Sequence, residues 1–216
     1  MQAYQTFASY LLDGNEKAAY EFLLENHNDS IYLYQDIVTN AMRYIGELWQ
    51  QNEITVADEH LATSVCEFVL SQFFYLPSMK KKELSQKKIM LYCIEDEQHA
   101  LGTKMIAGLC REKDWQVRYH GANLPLNAMM ESVETWRPQV IGLSAAMTYR
   151  LPTLLEYIDK LSTLSWKPKI LIGGRIATII DLKKHVNTEC KICHDMNDFS
   201  TWLDHWESGV GVNGAG

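Results

Sequence analysis

A chain of 216 residues has room for one large or two small domains, and 47% hydrophobic with 22% charged residues is the make-up of an ordinary globule. A formal net charge of −7 argues against an extended nucleic-acid surface, and no apolar run approaches the roughly 18 residues of a membrane span. The start, Met1-Gln2-Ala3-Tyr4-Gln5, shows no charged-then-apolar leader, and five scattered cysteines (66, 93, 110, 190 and 193) suit a reducing compartment, so a cytoplasmic protein is expected.

Residues 1–76 carry helical periodicity and no good strand. A first helix is predicted from Gln2 to Leu12, where Gly14 breaks it, and a second from Glu16 to Asn26. A third covers Ser30 to Gln50, with Ile37, Ala41, Tyr44, Ile45 and Leu48 on one stripe. After the turn Gln51-Asn52-Glu53-Ile54, Thr55 and Asp58 form a capping box, with Asp58 as a shorter stand-in for Glu, and a fourth helix runs to about Tyr75. Four antiparallel helices with short loops predict a four-helix bundle. Residues 77–87, with Pro77 and a run of lysines, read as an exposed linker, and 208–216 as a flexible tail.

Over 88–207 strands and helices alternate five times, with helices near 100–112, 125–136, 149–164, 178–186 and 197–207. That alternation predicts an α/β, doubly wound, five-stranded parallel sheet of Rossmann-like or flavodoxin-like type. The first strand is Lys88 to Ile94, and Glu97-Gln98-His99-Ala100-Leu101-Gly102 follows where it hands over to a helix. Ligands bind outside the carboxyl ends of such strands, so His99 is well placed, with Glu97 close enough to fix its tautomer. Gly102 would let a bulky group lie against the helix backbone. The third strand ends near Ser144 and the fourth in Gly173-Gly174, on the same edge of the sheet. Cys190-Lys191-Ile192-Cys193-His194 matches a haem attachment string, but it falls where the fifth strand is due and reads as structure.

Glu97-x-His99-x-x-Gly102, Ser144 and Gly173-Gly174 together resemble the cobalamin-binding domain family, over roughly residues 87–207. The resemblance implies that His99 is the lower axial ligand of cobalt, that Glu97 supports it, that Gln98 and Gly102 lie against the cofactor, and that Ser144, Gly173 and Gly174 line a slot for the nucleotide tail. The family's Ser-x-Leu is absent: here the string is Ser144-Ala145-Ala146.

In the bundle, Trp49 is followed after nine residues by Glu59-His60, a string that resembles the helical cap of cobalamin-dependent photoreceptor transcriptional regulators. There the Trp covers the upper face of adenosylcobalamin, the Glu bonds the adenosyl group and the His shares the pocket. The resemblance therefore implies a cap over the upper face of cobalamin. Adenosylcobalamin is the expected cofactor, with methylcobalamin or hydroxocobalamin as alternatives. Relatives carry a His after the Trp, which takes the upper cobalt position once light removes the adenosyl group. This chain has Gln50 there, which leaves His60 or water for that role. The regulators' DNA-binding module is not found ahead of the bundle, so no direct nucleic-acid binding is expected, and without a long apolar run no membrane contact is expected. The first function implied is a cobalamin-binding light sensor, not itself an enzyme, signalling through a regulatory protein partner or as a homo-oligomer that changes assembly. The alternative is a corrinoid methyl carrier of a methyltransferase system. Such carriers usually read Asp-x-His-Asp-Ile-Gly, where this chain has Glu97-Gln98-His99-Ala100-Leu101-Gly102.

Overall fold

The apolar spacing of the first 75 residues folds into helices that share one core. In the computed structural model, which describes residues 2–78 and 86–208, these are α1 (Ala3–Leu12), α2 (Glu16–Glu25), a π-helical stretch (Tyr32–Thr39) running into α3 (Asn40–Gln50), and α4 (Val56–Ser78). Phe7, Leu11, Leu23, Tyr34, Ile37, Ile45 and Leu70 are fully buried between them. Each start has a polar reason. The Asn15 side chain accepts the Ala18 amide at 3.1 Å, and Asp29 accepts the amides of Ile31 and Tyr32. Thr55 and Asp58 cap each other at the start of α4 (2.8 Å from the Thr55 amide to the carboxylate, 3.3 Å from the Asp58 amide to the hydroxyl).

Two helix limits differ from the sequence expectation. The third helix is not α-helical throughout: the Thr39 hydroxyl donates to the carbonyl of Tyr34, five residues back, at 2.7 Å, within the wide-turned segment. The fourth continues through Pro77 to Ser78. Residues 79–85 of the expected linker, and 209–216 of the expected tail, lie outside the described residues.

The second unit is a five-stranded parallel sheet in the order β2-β1-β3-β4-β5, with β1 (Lys88–Cys93), β2 (Gln116–Tyr119), β3 (Val140–Ser144), β4 (Lys169–Gly173) and β5 (Cys190–Ile192). The crossover helices are α5 (Leu101–Glu112), α6 (Leu126–Trp136), α7 (Leu151–Ser162) and α8 (Ile176–Ile179), and α9 (Met196–Ser208) follows β5. One core packs Met90, Tyr92, Ile141, Leu143 and Ile172 of the strands with Val133, Leu154 and Ile158 of α6 and α7. The helix expected near 178–186 is two short pieces, α8 and a 3₁₀ turn at Leu182–Lys184. Ile180, β-branched and extended at φ −112°, ψ 137°, separates them. The chain thus joins a four-helix bundle to a doubly wound sheet. In the sheet the winding reverses between β1 and β3, and the crevice beyond their carboxyl ends is the place such folds bind ligands.

Candidate functional site

Beyond β1 the chain makes a tight turn that delivers His99 to the carboxyl edge of the sheet. Asp96 sits in the left-handed region at φ 62°, and three other parts of the unit hold this turn. The Tyr157 hydroxyl accepts the Glu95 amide at 3.2 Å, Asn123 Oδ1 accepts the Asp96 amide at 2.7 Å, and the Asn123 amide donates to the Glu97 carbonyl at 3.0 Å. Arg150 Nη1 closes the turn from outside with a 3.0 Å bond to Asp96 Oδ2. Burial and neighbouring carboxylates push the Tyr157 phenol up to about 12, so it remains a neutral hydroxyl that also donates to the Leu124 carbonyl at 2.6 Å.

Glu97 is the centre of the arrangement. Only 1% of it is exposed, and its Oε1 accepts both the His99 amide (2.9 Å) and His99 Nδ1 (2.5 Å), while Oε2 accepts the Ala146 amide at 2.7 Å. Burial pushes the carboxyl up, but the bonds from the His99 ring, the Ala146 amide and the His99 amide outweigh it and bring it down to about 2. An ionised Glu97 can only accept, so Nδ1 of His99 carries the proton, and in the neutral ring Nε2 carries the lone pair. The imidazole itself is 68% exposed. This is the geometry of a neutral histidine ligand oriented by a carboxylate. Among the described residues no group of three or more His, Cys, Asp or Glu could hold a metal ion.

The neighbouring small residues do different things. A Cβ on Gly102, in the first turn of α5, would meet nothing within 4 Å, and one on Gly173 only the Cys193 carbonyl at 4.0 Å. Both leave room for a large group. Gly174 does not: at φ 86° its Cβ would lie 2.3 Å from the Ala145 carbonyl oxygen and 2.8 Å from Ser144 Oγ. It lets the loops after β3 and β4 touch, where Ser144 and Gly173 are register partners. Gln98 is exposed beside His99. Of the residues that secure the site, Asn123, Ala146, Arg150 and Tyr157 are missed by the sequence reading. Only Asn123 carried a local signal, in the turn string Gly121-Ala122-Asn123-Leu124-Pro125.

In the bundle, Trp49 ends α3 with 46% of its surface exposed. The Asn52 amide bonds its carbonyl at 3.0 Å in the turn that leads to α4. Glu59 is engaged within α4: Oε2 accepts from His60 Nδ1 at 2.8 Å and Oε1 from the Thr63 hydroxyl at 3.0 Å. His60 is therefore a second carboxylate-oriented imidazole, 75% exposed. The Cys190–His194 string is strand and turn. Burial raises the thiols of Cys190 and Cys193 to about 11 and 12, and His194 Nδ1 donates to the Ala177 carbonyl at 2.8 Å.

Two profiles of the B12 binding domain family match the chain, one over residues 87–188 and one over residues 3–73. The chain is a B12-binding-domain protein. It is 23% identical over 155 residues to the trimethylamine corrinoid protein of Methanosarcina barkeri, covering 69% of this chain and 70% of that one. It is 23% identical over 111 residues to the HTH-type transcriptional repressor CarH of Myxococcus xanthus, covering 51% of this chain and 36% of the repressor. The solved monomethylamine corrinoid protein of Methanosarcina barkeri superposes with a TM-score of 0.73 at 13% identity, over 94% of this chain and 97% of that one, a likeness of fold. In this B12-binding-domain protein the edge of the sheet holding Glu97 and His99 fits the group the family binds. It offers one oriented imidazole and, beside it, a glycine that leaves open space.

Proposed function

We propose that this chain is a corrinoid protein that carries cobalamin for a methyltransferase system, with His99 as the residue that would hold its cobalt. The observation that carries the reading is the Glu97–His99 pair, held at the β1/β3 crevice with Glu97 ionised and the ring exposed. Bound cobalamin supplies a cobalt centre that accepts and releases methyl groups. The chain's part is to orient and hold. Glu97 keeps the proton on Nδ1, Asn123 and Arg150 keep the turn from relaxing, and Gly102 and Gly173 leave room for the cofactor and its tail. The match to the corrinoid protein of Methanosarcina barkeri, longer than that to the repressor, supports a carrier, and its name points to a small methylated amine as the source of the methyl group. The catalytic step then belongs to a partner methyltransferase.

A second reading, an adenosylcobalamin-dependent light sensor, is favoured by the exposed Trp49 and the Glu59–His60 pair. One experiment separates the two. The chain is titrated in darkness with methylcobalamin and with adenosylcobalamin, and its sedimentation is followed before and after green light. The carrier binds methylcobalamin at least as tightly and sediments unchanged after illumination. A tenfold or greater preference for adenosylcobalamin, with a light-dependent change in sedimentation, replaces the carrier with the sensor.

A further inference from the structure

Side chains along a strand alternate between the two faces of the sheet. Met90, Tyr92, Ile141, Leu143 and Ile172 serve the core shared with α6 and α7, so the residues between them face the other way. The Thr103 hydroxyl, 3.5 Å from Cys93 Sγ, places α5 on that second face. Pairing of β1, β3 and β4 arranges this face in levels. The level nearest the carboxyl edge is Cys93, Ser144 and Gly173, side by side in register, and the next is Leu91, Gly142 and Leu171. A Cβ on Gly142 would lie 2.5 Å from Leu91 Cδ2, so Leu91 leans across the glycine and, with the buried Leu171, closes the face below the first level. The two levels differ in chemistry as well as in size. The lower one is hydrocarbon. In the upper one Cys93 Sγ meets the Thr103 hydroxyl, the Ser144 side chain and, at 3.6 Å, the His99 carbonyl. Burial pushes the thiol up to about 11, so it is a neutral S–H. Sulfur is a weak hydrogen-bond partner, and the Thr103 and Ser144 hydroxyls keep capacity for a stronger one.

We propose that this upper level selects the lower base of the corrinoid, favouring a purine over a methylated benzimidazole. The proposal rests on the reading of this chain as a corrinoid protein and names the corrinoid it takes. From Gly173 to Cys93 the level spans two strand spacings, about 10 Å, the breadth for one bicyclic base lying across it. Gly173 and Ser144 are half-buried, while Cys93 and Thr103 are buried beyond them. A base entering past Gly173 therefore has Leu91 and Leu171 beneath it, Ser144 alongside and the Cys93–Thr103 pair at its far end. Adenine brings ring nitrogens that accept from the hydroxyls and an exocyclic amine that donates to them. The two methyl groups of 5,6-dimethylbenzimidazole do neither, and they press on the end wall. Buried polar groups that a ligand can meet discriminate against the analogue that cannot meet them.

Visible titration of the full chain with hydroxocobalamin, whose base is 5,6-dimethylbenzimidazole, and with its adenine-containing counterpart tests this. Wild type binds the adenine form about tenfold more tightly or better. Thr103→Val keeps the shape of the side chain without its hydroxyl, and Ser144→Ala removes the other hydroxyl. Each lowers the ratio of affinities, and the double variant brings the two forms within about threefold of each other. Thr103→Ser, which keeps the hydroxyl, keeps the ratio. Circular dichroism melts of the same samples show that each variant is folded. Equal affinities in wild type, or a ratio that survives in the double variant, overturns the proposal. The reading beneath it is tested in the same titrations with His99→Ala. Binding of both forms without preference, lost in His99→Ala, overturns the base selection alone, whereas binding of neither form by wild type overturns the corrinoid reading and the base selection together.

Discussion

Glu97 meets three donors with two oxygens, and its removal shows more than the loss of one contact. In Glu97→Ala the Ala146 amide and both His99 donors lose their acceptor, and the ring loses the bond that fixes its tautomer. Hydroxocobalamin affinity, read by visible titration, should fall about 10–100-fold, the usual cost of losing the partner that orients a metal-binding histidine. His99→Ala should fall at least as far and lose the spectral signature of a nitrogen lower ligand. The carboxyl also links stability to pH. Its folded value of about 2 lies below the ordinary 4.5, so the stabilisation is complete above about pH 4.5 and is lost as pH falls toward 2. The shift corresponds to about 2–3 kcal/mol, the lower figure allowing for solvent around the exposed imidazole. Urea unfolding should therefore separate wild type from Glu97→Gln widely at pH 7 and much less at pH 3.

Among the glycines at the edge of the sheet, two with similar expected roles turn out to answer to different elements. Gly102 sits in the first turn of α5 facing open space, so Gly102→Leu should keep or slightly raise the melting temperature while blocking cobalamin. Gly174 joins two loops, and even Gly174→Ala places an atom 2.3 Å from a backbone carbonyl at a positive φ. It should lower the melting temperature and lose cobalamin binding together. Circular dichroism melts beside visible titrations read both. The contrast also marks how far the sequence could be read. The alternation of strands and helices, the bundle and the Glu97–His99 pair follow from periodicity and spacing of neighbours in the chain. The holding contacts do not: Asn123 and Arg150 reach the Asp96 turn from 27 and 54 residues away, and nothing local in Arg150 announces it. The π-helical stretch at Tyr32–Thr39 was hidden for a related reason. One residue of extra width in a turn barely disturbs an apolar stripe whose members are Leu33, Tyr34, Ile37 and Val38.

For the molecule as a whole, the question is what the bundle contributes beyond a fold, and Trp49 is where the answer can be measured. A sensor that depends on the adenosyl group needs Trp49 and Glu59 to bind that group, since a ligand shifts an equilibrium only through contacts that differ between the states. For such a sensor, methylcobalamin would leave Glu59 without that partner, and an unmet buried polar group costs about 1–3 kcal/mol, which at 1.4 kcal/mol per decade is a preference of roughly 5–150-fold. Here Glu59 already accepts bonds from His60 and Thr63, so it has little left unpaired when the adenosyl group is absent. The carrier reading therefore expects titrations with methylcobalamin and adenosylcobalamin to agree within about threefold, and Glu59→Gln to change neither by more than that. On the same reading Trp49→Ala should leave the ratio of the two affinities unchanged, since a residue sets a preference only through contacts that differ between the two forms. A loss confined to adenosylcobalamin in Trp49→Ala and Glu59→Gln would show that the bundle reads the upper ligand, and would assign the chain to sensing instead of methyl transfer.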